Sequence, residues 1–373
     1  MPARGLIPAL VWLVLAMPAL GQQWPGAEWV VRSVDPALDA HVNSAFDGAA
    51  PAPLDGVRAL LVVQGGEIVA ERYREGFDAS SRFLSWSMAK SFAHALAGIM
   101  VGEGRIALDT PLPVPEWQLV ADDPRRAITL EHALRMSTGL AFDENYEALA
   151  SSDAIRMLFG DGAGDMGHYA ASQLLVYPPG SHWEYSSGTT NIVSRVIRDL
   201  AGGNEDAYRT FITRKLLEPI GIRDAVLEFD ASGTLIASSL IFMSARNYAR
   251  FGLLYLRDGE WNGQRILPEG WAQHARTPTA GSDGRYGAQW WLSGFADPRR
   301  VPHALHEFPA DAFMAQGHQE QSIIVVPSHD LVVVCLSLIN EEDVSALKDY
   351  LARIVELVPA PRVAAHLVGS KPD

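Results

Sequence analysis

Ser87-Met88-Ala89-Lys90 places a hydroxyl and an amine three residues apart, the spacing that sets both on one face of a helix. A serine hydroxyl becomes a good nucleophile when a neighbouring base takes its proton, and a lysine taken out of water can be that base because burial disfavours its charged form. Arginine, which stays protonated, cannot do this. Of the 30 basic residues only Lys90, Lys215, Lys348 and Lys371 are lysines, so a chain that writes positive charge as arginine has put a lysine three residues after Ser87. S-x-x-K alone is weak, with roughly one match expected by chance in a chain of this length. A second match, Ser345-Ala346-Leu347-Lys348, lies in a C-terminal amphipathic segment and is expected to be a solvated helix face. The first differs in context: Ser87 stands where a loop enters a helix, so its backbone N–H and the helix dipole can stabilise negative charge beside it.

A second element follows about 100 residues later, in PPGSHWEYSSGTTNIVSRVI, where Tyr185 sits in a glycine-bounded loop before another helix. A phenol and a lysine have similar reference pKa values near 10, so in one cleft they can share a proton, and either can take the serine proton and return it to a leaving group. Trp86 and Trp183, next to these residues in sequence, are expected in core packing first, with the wall of an apolar pocket as the alternative. The cluster Asp143-Glu144-Asn145-Tyr146 is expected on a loop near the cleft, with Tyr146 the better candidate to touch substrate than the acids. His94 and His182 are expected to be structural. H-E-x-x-H, a Cys/His cluster, G-x-S-x-G and a glycine-rich phosphate loop are all missing from the sequence, so neither a metal nor an organic cofactor is expected.

These residues need a frame to bring them together. Residues 56–78 carry two β-rich runs around Gly65-Gly66, a hairpin signal. Helical periodicity takes over at 87–103, and the middle of the chain is helix and loop. Strand signals return at 286–293, 311–317, 321–328 and 330–339, followed by an amphipathic helix at 342–358. Strands at both ends with helices between predict a mixed α/β (α+β) fold with one sheet built from the two termini and a helical insertion, the cleft between them. The expected division is 22–85 with 235–373 as a discontinuous sheet domain and 86–234 as the inserted helical one.

Residues 1–21 have one arginine, an apolar run and small residues before the expected cleavage point, the pattern of a secretory signal peptide too short to span a bilayer. With Cys335 the only cysteine, no internal disulfide can form, and the expected location is the periplasm or the medium. A net charge of −14 argues against nucleic acid and anionic membranes as partners and leaves a small molecule as the expected one. Nothing in the sequence sets an oligomeric state.

Taken together, SWSMAKSF, the hairpin before it, LRMSTGL, PPGSHWEYSSGTTN, ARNYARFGLLYLRDGEWNGQRILPEGW and AQGHQEQSIIVVPSHDLVVV resemble a serine hydrolase of the β-lactamase-related superfamily. The likeness runs from about residue 50 to 357, near the class C β-lactamase-like esterases, D-aminopeptidases and 6-aminohexanoate-dimer hydrolases. It implies an antiparallel sheet with an inserted helical domain and acyl transfer, with Ser87 as the acylated nucleophile, Lys90 as its proton partner and Tyr185 as the tyrosine of a Y-x-N element. It also implies an oxyanion hole made by the backbone N–H groups of Ser87 and Gln321. Three positions depart from the pattern: Ser187 replaces the asparagine of Y-x-N, and in the strand segment that corresponds to K-T-G His318 stands for the lysine and Glu320, after Gln319, for the glycine. His318 lacks the fixed charge that would meet a substrate carboxylate, and Glu320 is expected to crowd the cleft. The expected activity is therefore cleavage of an ester or linear amide. The alternatives are a cell-wall D-amino-acid peptidase or β-lactamase, and an inactive binding protein of the same fold.

Overall fold

The computed structural model describes residues 24–47, 52–146, 151–292 and 308–361; the expected signal peptide lies outside them. In chain order the elements used below are helix α1 (Pro36–Asn43), strands β1 (Val57–Gln64) and β2 (Glu67–Tyr73), and helices α2 (Ala89–Gly102), α3 (Ser187–Ala201) and α4 (Ala245–Leu256). Strands β3 (Trp291–Leu292), β4 (Phe313–Gly317), β5 (Gln321–Val326) and β6 (Leu331–Ser337) and helix α5 (Val344–Leu357) complete the set.

β1 and β2 form the expected hairpin, turning at Gly65 and Gly66, whose φ angles of 65° and 88° are those a two-residue turn needs. The six strands make one antiparallel sheet in the order β2-β1-β6-β5-β4-β3, so the two ends of the chain share a sheet and the mostly helical residues lie between them. Its central strands are buried on both faces, which is why they are written as almost continuous runs of valine, leucine and isoleucine. Ala59, Leu61, Ile323, Val325, Val332 and Val334 face α2 and α4, while Leu60, Val62, Ile324, Val326, Val333 and Cys335 face α1 and α5. The strand expected over 286–293 is shorter than its sequence signal: the backbone turns back at Gln289, φ 59°, and only Trp291 and Leu292 pair with β4.

α2 is buried on every side from Ala89 to Met100, so it lies at the centre of the molecule, with the sheet on one flank and the helical layer on the other. Its alanines and Gly98 keep it slim; a Cβ at Gly98 would come within 2.4 Å of the Trp271 indole nitrogen. Its polar side chains are satisfied internally. Ser91 donates to the Gln289 carbonyl at 2.8 Å, and His94 lies 2.7 Å from the Tyr255 hydroxyl and 3.0 Å from His274, a structural role as expected.

The expected solvated face around Lys348 is not what α5 presents. Lys348 is only 9% exposed and its ammonium lies 2.8 Å from the Glu320 carboxylate. The long stem of lysine lets α5 pack its apolar stripe under the sheet while the charge reaches the end of the β4–β5 hairpin.

Candidate active site

Ser87 lies in a single tight turn, Trp86–Met88, that runs directly into α2. Two anchors hold the turn. Ser85, before it, donates its hydroxyl to the Ser239 carbonyl at 3.0 Å, and its backbone N–H donates to the Ile241 carbonyl at 2.8 Å. On the other side β4 ends at Gly317, where a Cβ would lie 2.3 Å from the Ser85 carbonyl oxygen. Only glycine permits this approach, and it brings the end of β4 against the Ser87 turn. Trp86 takes φ 43°, a conformation unfavourable for a bulky residue and of the kind that collects at functional sites.

Lys90, one turn into α2, is fully enclosed. Its nitrogen lies 3.0 Å from Ser87 Oγ, 2.9 Å from Ser187 Oγ and 3.0 Å from the Ser238 carbonyl oxygen. Burial lowers its pKa, the Glu144 carboxylate pulls it partly back, and the balance is about 8. Tyr185 lies over this group, with Lys90 Nζ 4.8 Å from its ring centre. The phenol is pushed above its ordinary range, first by burial and then by the Glu144 charge, with Ser87 partly opposing. Tyr286 and Trp291 support the ring at 5.7 Å and 5.5 Å, and Trp183 packs on Tyr286.

The other candidates divide. Ser187, the first residue of α3, joins the cluster directly through Lys90. The His318 ring lies 5.5 Å from Trp86 and 6.1 Å from Tyr146, so these three rings form one group beside the Ser87 turn. Gln319 and Glu320 form the hairpin tip with φ 59° and 65°. The Gln319 carbonyl accepts from Ser337 Oγ at 2.8 Å, while the Glu320 carboxylate accepts from Gln316 at 2.7 Å and pairs with Lys348 on α5, across the sheet from α2. The expected crowding by Glu320 is therefore corrected: its carboxylate is spent on the far face. Gln321, fully buried, opens β5 across from Gly317.

Three residues that sequence reasoning set aside or passed over belong to the cluster. Glu144 accepts the Ser187 backbone N–H at 2.7 Å, the Ser187 hydroxyl at 2.5 Å and the Tyr146 hydroxyl at 2.8 Å. Ser238 supplies the third oxygen around Lys90 and is itself fixed by Asn191 of α3, whose side-chain oxygen accepts the Ser238 N–H at 3.2 Å and whose amide donates to its hydroxyl at 3.1 Å. Among the described residues no group of acidic, histidine and cysteine side chains is arranged to hold a metal.

Residues 46–356, which include this serine and buried lysine at the start of a central helix, match the Beta-lactamase family. The chain belongs to the β-lactamase family. A 6-aminohexanoate-dimer hydrolase of Paenarthrobacter ureafaciens is 28% identical over 260 residues, which cover 63% of this chain and 64% of that protein. The match thus spans a little under two thirds of the relative. A solved structure from Bacillus anthracis, provisionally assigned as a 6-aminohexanoate-dimer hydrolase, is 25% identical with a TM-score of 0.65, covering 82% of this chain and 81% of that one. EstCE1, a hydrolase with promiscuous acyltransferase activity, is 16% identical with a TM-score of 0.65 over 86% of this chain and 98% of its own, a likeness of fold. As a β-lactamase-family protein the chain has the mixed α/β architecture its sequence pattern implied, an antiparallel sheet with helices on both faces.

Proposed function

We propose that this protein is an exported serine hydrolase that cleaves a small ester or linear amide through an acyl-enzyme on Ser87. The observation that carries the reading is the Lys90 amine, 3.0 Å from Ser87 Oγ in a fully buried setting. At a pKa of about 8 the amine is neutral often enough near physiological pH to act as a base. The Tyr185 phenol, pushed upward, holds its proton and is suited to donate rather than accept. Lys90 then takes the Ser87 proton as Oγ bonds to the substrate carbonyl carbon. The carbonyl π electrons move to oxygen, which the backbone N–H groups of Ser87 and Gln321 are assigned to stabilise. On collapse the bond to the leaving group breaks, Tyr185 protonates the leaving atom, and Lys90 restores the tyrosine proton. Water repeats the sequence on the acyl-enzyme and frees Ser87.

The groups nearest Ser87 disfavour a substrate carboxylate close to the scissile bond, as in a penicillin, but not one several methylenes away, as in the 6-aminohexanoate dimer. His318 stands where a lysine would meet the nearer carboxylate, and Glu144 adds a negative charge beside Ser187. The similarity to 6-aminohexanoate-dimer hydrolases makes a linear amide of that kind a concrete substrate class. The test is a substrate panel of p-nitrophenyl acetate, 6-aminohexanoate dimer and nitrocefin, each against wild type and Ser87→Ala. Turnover of the ester or the dimer, abolished in the variant and well above nitrocefin turnover, is expected. Nitrocefin as the preferred substrate would contradict the reading and favour a cell-wall role.

A further inference from the structure

We infer that Glu144 is a positioning residue for the base: through the Ser187 hydroxyl it fixes the direction in which the Lys90 nitrogen presents its lone pair. The inference rests on Lys90 acting as the base.

The argument is a count of protons. Both carboxylate oxygens of Glu144 are engaged at the first residue of α3, one by the Ser187 backbone N–H at 2.7 Å and the other by the Ser187 hydroxyl at 2.5 Å. A serine hydroxyl has one proton, and here it is committed to Glu144. Ser187 Oγ can therefore meet Lys90 only as an acceptor, at 2.9 Å, and the Ser238 carbonyl at 3.0 Å has no proton to give. A neutral amine has two N–H groups and one lone pair. With both N–H groups used on Ser187 and Ser238, the lone pair is left for the proton of Ser87, 3.0 Å away. If Glu144 cannot accept, the Ser187 hydroxyl is free to rotate and donate to the same lone pair, competing with Ser87. The two oxygens that orient Lys90 are themselves held, Ser187 by Glu144 and Ser238 by Asn191.

Glu144 also acts by charge. Glu144 is the charged group that acts on the amine; Tyr185 lies over it with Tyr286 behind, Tyr146 donates to Glu144, and His318 of the β4–β5 hairpin packs on Tyr146. The Glu144 charge favours the ammonium, opposing burial. Removing that charge should lower the Lys90 pKa, while removing the hydrogen bond should disorder its lone pair.

Glu144→Gln, Ser187→Ala and the double variant, assayed with p-nitrophenyl acetate over pH 5.5 to 10, separate these effects. Glu144→Gln is expected to lower the plateau kcat by about 10-fold or more with KM changed by less than about 2-fold, and to move the acid limb of kcat/KM to lower pH. Ser187→Ala should lower kcat to a similar degree, and the double variant should be little worse than either single one, because both break one chain of hydrogen bonds. Unchanged kcat and an unmoved limb in Glu144→Gln would overturn the inference, as would a loss of plateau kcat from Glu144→Gln that persists in full on the Ser187→Ala background. A wild-type profile with no limb near pH 8 would instead remove the underlying assignment of Lys90 as the base.

Discussion

The chemistry proposed here depends on a single proton equilibrium. With a pKa of about 8, roughly a tenth of Lys90 is neutral at pH 7, against about one part in three thousand for an ordinary lysine. The sign follows from burial: taking the ammonium out of water disfavours it, and Glu144 returns only part of that cost. Wild-type kcat/KM should therefore rise with pH through about 8 and level off above it, the phenol of Tyr185 remaining protonated well beyond. Lys90→Arg, which keeps the charge and cannot release it, should lower kcat by about 10³-fold or more at every pH, read from a stopped or continuous ester assay. Retention of a tenth of wild-type rate in that variant would assign the base elsewhere. The structure brings Ser87, Lys90 and Tyr185 together; the three-residue spacing suggested the first two and the resemblance to the family pattern suggested the third. Glu144 was noticed and ranked below Tyr146, because nothing local to Asp143-Glu144-Asn145-Tyr146 announces that its carboxylate will reach the start of α3. Ser238 carried no signal at all, since its contribution is a backbone carbonyl.

At the scale of elements, the β4–β5 hairpin explains a sequence feature that looked like damage. Glu320 at φ 65° costs on the order of 1 kcal/mol relative to glycine, and Gln319 before it is similarly placed. That cost is offset by a pair formed with Lys348, the lysine of the second S-x-x-K, at 2.8 Å, both residues buried. The two positions are 28 apart in sequence and on different elements, so neither motif reading nor helical periodicity links them, and the amphipathic pattern of α5 assigns the lysine to water. Lys348→Met should leave a buried carboxylate that still accepts from Gln316 but has lost its cation, and lower stability by about 3 to 5 kcal/mol, measured by urea unfolding. Adding Glu320→Gln should recover much of the loss. A Lys348→Met protein within about 1 kcal/mol of wild type would mean that the pair holds nothing in place. The strands themselves were legible, because burial on both faces demands apolar runs. The segment 286–293 was the exception: a backbone reversal at Gln289 breaks a run whose composition still reads as strand.

For the molecule as a whole, the sheet drawn from both ends of the chain packs on the helix that follows the Ser87 turn, and the residues between supply its other walls. The resulting cleft is assembled from parts distant in sequence, the 86–90 turn, the loop around Glu144, the start of α3, Ser238 and the tip of β4, so it exists only when the whole fold does. No helix among the described residues is long and apolar enough to cross a membrane. The family and the fold were legible from the order and spacing of several short segments, whereas the substrate depends on cleft surfaces that no motif encodes. The measurement that bears most directly on the reading is intact-mass spectrometry of the protein after incubation with a fluorophosphonate, with Ser87→Ala as control. A single adduct on the wild type, mapped to Ser87 by peptide sequencing and lost in the variant, is the expected result; an unlabelled wild type, or an adduct that persists in Ser87→Ala, would contradict the assignment of Ser87 as the nucleophile.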